Sequence, residues 1–249
     1  MKRTDRRAII LAAWACALIT GQLAVAGQDW SFNVSPYLWV ANVEIETSLP
    51  SVSPSAPPSA DRFDTKIGAG AMFAAQARYR SVGLFVDFAW LQLNTEAINA
   101  GPLYSAVNLK SDFIHSTAAL TYRLPLEGKF QVEALAGARV WHVANNLEST
   151  KGLLPGFDAS PDKTWVDPMV GASLNYDLTK RWSVGLKGMV GGFGVSADIA
   201  GEVFAGVTYR YKEWGSATLG YRYLHEEYDR AFKFNLDTQG FLLGFGFHF

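Results

Sequence analysis

The chain has 249 residues, 22 Lys+Arg against 23 Asp+Glu for a formal net charge of −1, with 49% hydrophobic and 14% aromatic residues and one cysteine. Such a length fits a single all-β domain, and the charge balance offers no basic surface for a nucleic-acid partner. One cysteine excludes a disulfide framework and a cysteine-ligated metal.

Residues 1 to 26 read as a secretory signal peptide. Lys2, Arg3, Arg6 and Arg7 form a basic cluster, Ala8 to Ile19 an apolar run, and Ala24-Val25-Ala26 a small-residue cleavage site before Gly27. The apolar run is shorter than the roughly 20 residues a spanning helix needs. Cys16 follows Ala13-Trp14-Ala15, where Trp14 spoils a lipoprotein signal. Cleavage after Ala26 removes those four basic residues and Asp5, leaving 223 residues with 18 basic against 22 acidic side chains and no cysteine. Residues 27–249 then form one domain.

The first element alternates Trp30, Phe32, Val34, Pro36, Leu38 and Val40 against Ser31, Asn33, Ser35, Tyr37 and Trp39, a period of two that predicts a strand. Pro36 has no N–H, so at that position a ladder bond is missing or a bulge is present. A Ser- and Pro-rich loop spans Thr47 to Lys66. Strands at about 67 to 80 and 83 to 96 follow, joined by Ser81-Val82 as a hairpin, with apolar faces Phe73, Ala75, Ala77, Tyr79 and Leu84, Val86, Phe88, Trp90. Further strands are expected near 108 to 123, 130 to 145, 165 to 178, 182 to 194, 202 to 212, 216 to 227 and 233 to 249. The third long loop, 146 to 164, carries Lys151-Gly152, Pro155-Gly156 and Pro161 as turn punctuation. In the last strand Phe241, Leu243, Phe245, Phe247 and Phe249 make one face, and Gly244, Gly246 and His248 the other.

Ten strands joined by connections of roughly 20, 2, 11, 5, 19, 3, 7, 3 and 5 residues predict a closed antiparallel up-and-down transmembrane β-barrel, with eight or twelve strands as the neighbouring counts. Alternating long and short links suit loops at one membrane face and turns at the other. Aromatic residues near strand ends (Trp30, Tyr79, Trp182, Tyr209, Tyr211, Tyr221, Tyr223 and Phe249) suit interfacial girdles, and the apolar face is almost free of charge in mid-strand. The opposite face carries Arg78, Asp87, Glu133, Arg139, Asp167, Lys187, Glu202, Arg210, Arg222 and Glu226, five basic and five acidic. In such a barrel these point into a narrow lumen, where each is costly unless paired. Glycines at the same parity (Gly137, Gly171, Gly185, Gly206, Gly220, Gly244 and Gly246) relieve crowding.

The chain resembles uncharacterised proteobacterial outer-membrane β-barrel proteins, small barrels similar to the OmpA-like and OmpW-like groups. The resemblance rests on Ser35-Pro36-Tyr37-Leu38-Trp39, Gly137-Ala138-Arg139, Val166-Asp167-Pro168, Gly191-Gly192-Phe193-Gly194, Gly220-Tyr221-Arg222-Tyr223-Leu224 and the terminal Phe, and spans residues 28 to 249. It implies that Phe241, Leu243, Phe245, Phe247 and Phe249 are the signal read by the barrel-assembly machinery. It implies no activity.

Chemistry-bearing motifs are few. The histidines are His115, His142, His225 and His248, none beside a serine in a hydrolase arrangement, so His115 is expected to fill the lumen rather than act as a base. Glu226-Glu227 beside Asp229 reads as a solvated rim rather than an acidic dyad or a cation site. Gly191-Gly192-Phe193-Gly194 precedes no helix pattern, so it is expected to kink the strand end or fold the loop inward over the lumen instead of holding phosphate. No cofactor or metal is expected. The expected function is a structural or small-solute permeation barrel in the Gram-negative outer membrane, in contact with its lipids and lipopolysaccharide. A lipid or peptide hydrolase, and an adhesin or receptor acting through the loops, are the alternatives.

Overall fold

The computed structural model describes residues 29–48, 62–98, 104–151, 158–159, 162–230 and 233–249. The expected signal peptide, and the middles of the loops expected at 47 to 66, 97 to 107 and 146 to 164, lie outside the described residues.

The strands in chain order are β1 (Trp30–Ser48), β2 (Arg62–Tyr79), β3 (Val82–Ile98), β4 (Tyr104–Arg123), β5 (Phe130–Lys151), β6 (Asp158–Ala159), β7 (Asp162–Asp177), β8 (Trp182–Gly191), β9 (Ile199–Lys212), β10 (Gly215–Asp229) and β11 (Lys233–His248). Each pairs antiparallel with the next, β5 continues to β7, and β11 returns to β1, so ten strands close on themselves. The two-residue β6 is a side pairing against Leu147 and Glu148 of β5. Closure gives each of the ten strands a partner on both sides over at least part of its length, the arrangement in which β-structure crosses a membrane.

The strands run further toward the long loops than the alternation signals. β1 continues to Ser48 and β5 to Lys151, although apolar alternation fades near Val40 and Asn145. The extensions are held by ladder bonds to neighbours, which need no apolar face. At the other end the turns are tight. Residues 80 and 81 link β2 to β3, with Arg80 in the left-handed region at φ 53° and its N–H donating to the Asp29 carbonyl at 2.9 Å. The ring is closed there by Phe249, whose N–H donates to the Phe32 carbonyl at 2.9 Å and whose carbonyl accepts from the Phe32 N–H at 3.0 Å.

The outer face is an apolar belt. Leu120, Phe241, Val40 and Leu219 are 58 to 66% exposed, and exposed apolar residues follow on β7, β8 and β9 at Val170, Leu186 and Val203. Soluble monomers rarely expose contiguous apolar surface on this scale. Cross-strand aromatic pairs mark the turn end of the belt: Trp30 with Tyr79 at 5.1 Å, Phe130 with Tyr176 at 4.5 Å and Trp182 with Tyr209 at 4.8 Å.

Candidate functional site: the lumen

Period two puts every second side chain inside the ring, and the interior is stacked in layers that follow β5 from Glu133 to Val143. At the turn end, Glu133 Oε1 accepts from Arg123 Nη2 at 2.8 Å and pairs with Arg78, while Oε2 accepts from Gln76 at 3.0 Å. Above it Ala119, Leu135, Met169, Met189 and Ala200 pack with Phe85 as an apolar layer. Gly137 stands next on β5, where a Cβ would lie 2.0 Å from the Ala118 carbonyl oxygen of β4. No larger residue fits this approach.

The third layer is ionic. Arg139 of β5 donates from Nη2 to Glu202 Oε2 of β9 at 2.7 Å and from Nε to Thr117 Oγ1 of β4 at 3.1 Å. Arg222 of β10 lies 3.1 Å from the same Glu202 oxygen and 2.8 Å from Asp87 Oδ2 of β3, and Lys187 of β8 lies 2.9 Å from Glu202 Oε1. Tyr37 of β1 completes the layer, donating to Asp87 Oδ1 at 2.6 Å and accepting from Arg222 Nη1 at 2.9 Å. Arg139–Glu202 joins β5 to β9 and Arg222–Asp87 joins β10 to β3, strands that are not neighbours, so these two pairs cross the lumen. The side chains of Arg139, Glu202, Arg222 and Asp87 are 0 to 4% exposed.

Asp167 of β7 and Glu226 of β10 sit at the loop side of this layer, both fully buried. Glu226 Oε1 accepts from Trp165 Nε1 at 3.1 Å, and its Oε2 lies 3.8 Å from Arg139 Nη1. The solvated acidic rim expected at Glu226-Glu227 is therefore corrected at Glu226, because the strand parity that exposes Asp229 turns Glu226 inward. The loop after β8 covers Asp167: Ala197 N–H donates to Asp167 Oδ1 at 2.6 Å, Ser196 Oγ to the Val166 carbonyl at 2.8 Å, and Gly192 N–H to the Pro168 carbonyl at 3.2 Å. Left-handed φ values at Gly192 (81°), Phe193 (49°) and Gly194 (71°) make this turn, so the glycine run folds the loop inward.

The top layer went unread in the sequence. Trp141, Val143, Trp165, Leu224, Tyr228, Phe234 and Leu236 form a buried cluster with Trp39 and Phe113 packed against it. Trp141 and Trp165 stack at 6.0 Å across the β5–β7 pair, and His115 rests on Trp141 at 4.9 Å. The signal was available, since Trp141 shares the parity of Arg139 and Trp165 that of Asp167. An assumption that apolar residues face outward hid it.

Arg210 stands apart from the other expected lumen charges. It has the lumen parity of β9, but at the turn mouth, where it is exposed and lines a cavity of about 390 Å³ with Lys129, Asp177, Thr179 and Lys180. His142 is on the outer side and bonds Thr164 Oγ1 at 2.7 Å; His225 Nδ1 lies 3.0 Å from Asp237; His248 Nε2 lies 2.9 Å from Ser216 Oγ. Among the described residues no cluster of three or more His, Cys, Asp or Glu could hold a metal.

No protein-family model and no curated protein matches the chain. Solved structures that resemble it are outer-membrane barrel proteins. One is the outer membrane protease OmpT from Escherichia coli, 7% identical, TM-score 0.49, covering 89% of this chain and 97% of that one. Another is the toluene transporter TodX of P. putida, 11% identical, TM-score 0.38, covering 90% of each chain. A third is Ail, the attachment invasion locus protein of Yersinia pestis, 12% identical, TM-score 0.38, covering 88% of this chain and 98% of that one. The likeness is one of barrel fold alone.

Proposed function

We propose that the protein is an integral barrel of the Gram-negative outer membrane, exported by its signal peptide, with turns toward the periplasm and long loops outside. It is closed to flow along its axis and serves as a structural element rather than an open solute channel. The observation that carries this reading is the ionic layer, in which Arg139, Glu202, Arg222 and Asp87 bond across the lumen and are almost fully withdrawn from water. A solute moving along the axis would have to part several buried ion pairs, each costly to leave unmatched. The apolar belt and its aromatic pairs support placement among outer-membrane lipids and lipopolysaccharide, and the terminal aromatic strand supports delivery by the barrel-assembly machinery. His115 lies among Trp141 and buried charges with its Nε2 unbonded, which favours a lumen-filling role over that of a base.

Planar-bilayer recording tests this. The folded protein is expected to give no discrete conductance, and the Glu202→Ala/Arg222→Ala variant to conduct. Steady conductance from the unaltered protein overturns the closed reading.

A further inference from the structure

The ring has one weak seam. The β1–β2 ladder runs from Trp30↔Tyr79 to Pro36↔Phe73 and stops, although β1 continues along β11 to Ser48 and β2 runs back along β3 to Arg62. Pro36 lacks its N–H on the side of β11, where the ladder skips Ser35 and Pro36, and beyond Phe73 the β2 strand stays with β3, shifting register between Ile67 and Ala69. The β7–β8 ladder also stops early, but there the loop at 192–198 is bonded over the uncovered half of β7. Among the described residues nothing equivalent covers the free halves of β1 and β2.

Outward residues of β1 remain apolar at Leu38 and Val40 and become polar at Asn42, so the gap opens inside the apolar belt and runs past it. Free strand edges facing hydrocarbon leave backbone donors and acceptors unmet. Behind the gap the inward-facing Trp39, Gly70, Met72, Ala89, Leu91 and Phe113 are only partly buried, whereas Trp141, Trp165, Leu224 and Tyr228 on β5, β7 and β10 are buried. Trp39 Nε1 is a buried donor with no acceptor, and its ring lies 4.9 Å from the Arg222 guanidinium, so the recess rests on the ionic layer as a floor. The opening is therefore sideways, toward lipid, onto apolar and aromatic groups that pack against the buried cluster from its exposed side.

We propose that the β1–β2 gap is a lateral portal that admits one acyl chain of a single-chain amphiphile from the outer leaflet. The chain lies against Trp39 and Phe113, and the polar head meets the free edges of β1 and β2. An amphiphile fits both demands of the gap, where neither a purely apolar solute nor water alone does. This inference rests on the membrane placement proposed above.

The test uses the mature chain folded in phosphatidylcholine nanodiscs with radiolabelled palmitate as the probe, empty discs being subtracted. Continuing the register past Pro36↔Phe73 sets Leu38 opposite Ala71. Saturable binding is expected, reduced at least tenfold in oxidised Leu38→Cys/Ala71→Cys and restored by reductant. Met72→Trp, which fills the recess without cross-linking, is expected to weaken binding similarly and keeps the test decisive if the cysteines fail to join. Absence of saturable binding, or binding unchanged by both variants, overturns the portal. A chain that enters discs and shifts mobility on heating, yet binds no palmitate, sinks the portal alone; one that never enters discs sinks the membrane reading.

Discussion

Glu202 is the carboxylate paired with Arg139, Arg222 and Lys187 at once, which makes it the residue on which the lumen most depends. Removing one member of a buried ionic set strands the others, so Glu202→Gln is expected to destabilise the barrel by about 3–5 kcal/mol in urea unfolding from lipid vesicles. Trp165 matters for two reasons, since it stacks on Trp141 and donates to Glu226. Trp165→Ala should cost about 3–5 kcal/mol by the same measurement, through the cavity and the lost contacts. Leu120→Ala, on the outer face, exchanges one apolar surface for a smaller one against lipid and is expected to cost clearly less than either.

At the scale of the strand, closure depends on small residues where backbones approach. A Cβ at Gly240 of β11 would lie 2.0 Å from the Val40 carbonyl oxygen of β1, the same conflict as at Gly137. Gly137→Val and Gly240→Val must therefore spread a strand pair, and each is expected to cost at least about 1–3 kcal/mol and to lower the folded fraction seen on an unheated gel. The end of β11 behaves differently. Phe249 contributes two backbone bonds to Phe32 at the ring's turn end and an exposed ring. Deleting Phe249 is expected to slow assembly in cells markedly while shifting the urea midpoint of barrel already folded only slightly; equal effects on both would refute an assembly role.

For the whole molecule, the same alternation serves two surfaces, an apolar belt outside and a layered interior that is ionic in the middle and aromatic toward the loops. A soluble barrel would invert this, with charges out and aliphatics in. The folded protein is accordingly expected to run faster on a gel before heating than after and to sediment with membranes. Recovery in a soluble fraction, with no mobility shift, would overturn the membrane assignment.

Period-two alternation and turn punctuation determined the ten strands, their order around the ring and the parity of each charged residue, because these follow from local chain geometry. The alternation of Arg139, Trp141 and Val143 on one face of β5 was equally legible, and so was the missing N–H of Pro36. Tertiary structure alone decided which charges meet. Arg139 reaches Glu202 and Arg222 reaches Asp87 because closure of the ring and its shear set the heights of strands remote in sequence, a quantity no single strand encodes. Closure likewise buried Glu226 under Trp165, left Arg210 at the mouth, and left a gap in the wall where the β1–β2 ladder stops after Pro36↔Phe73.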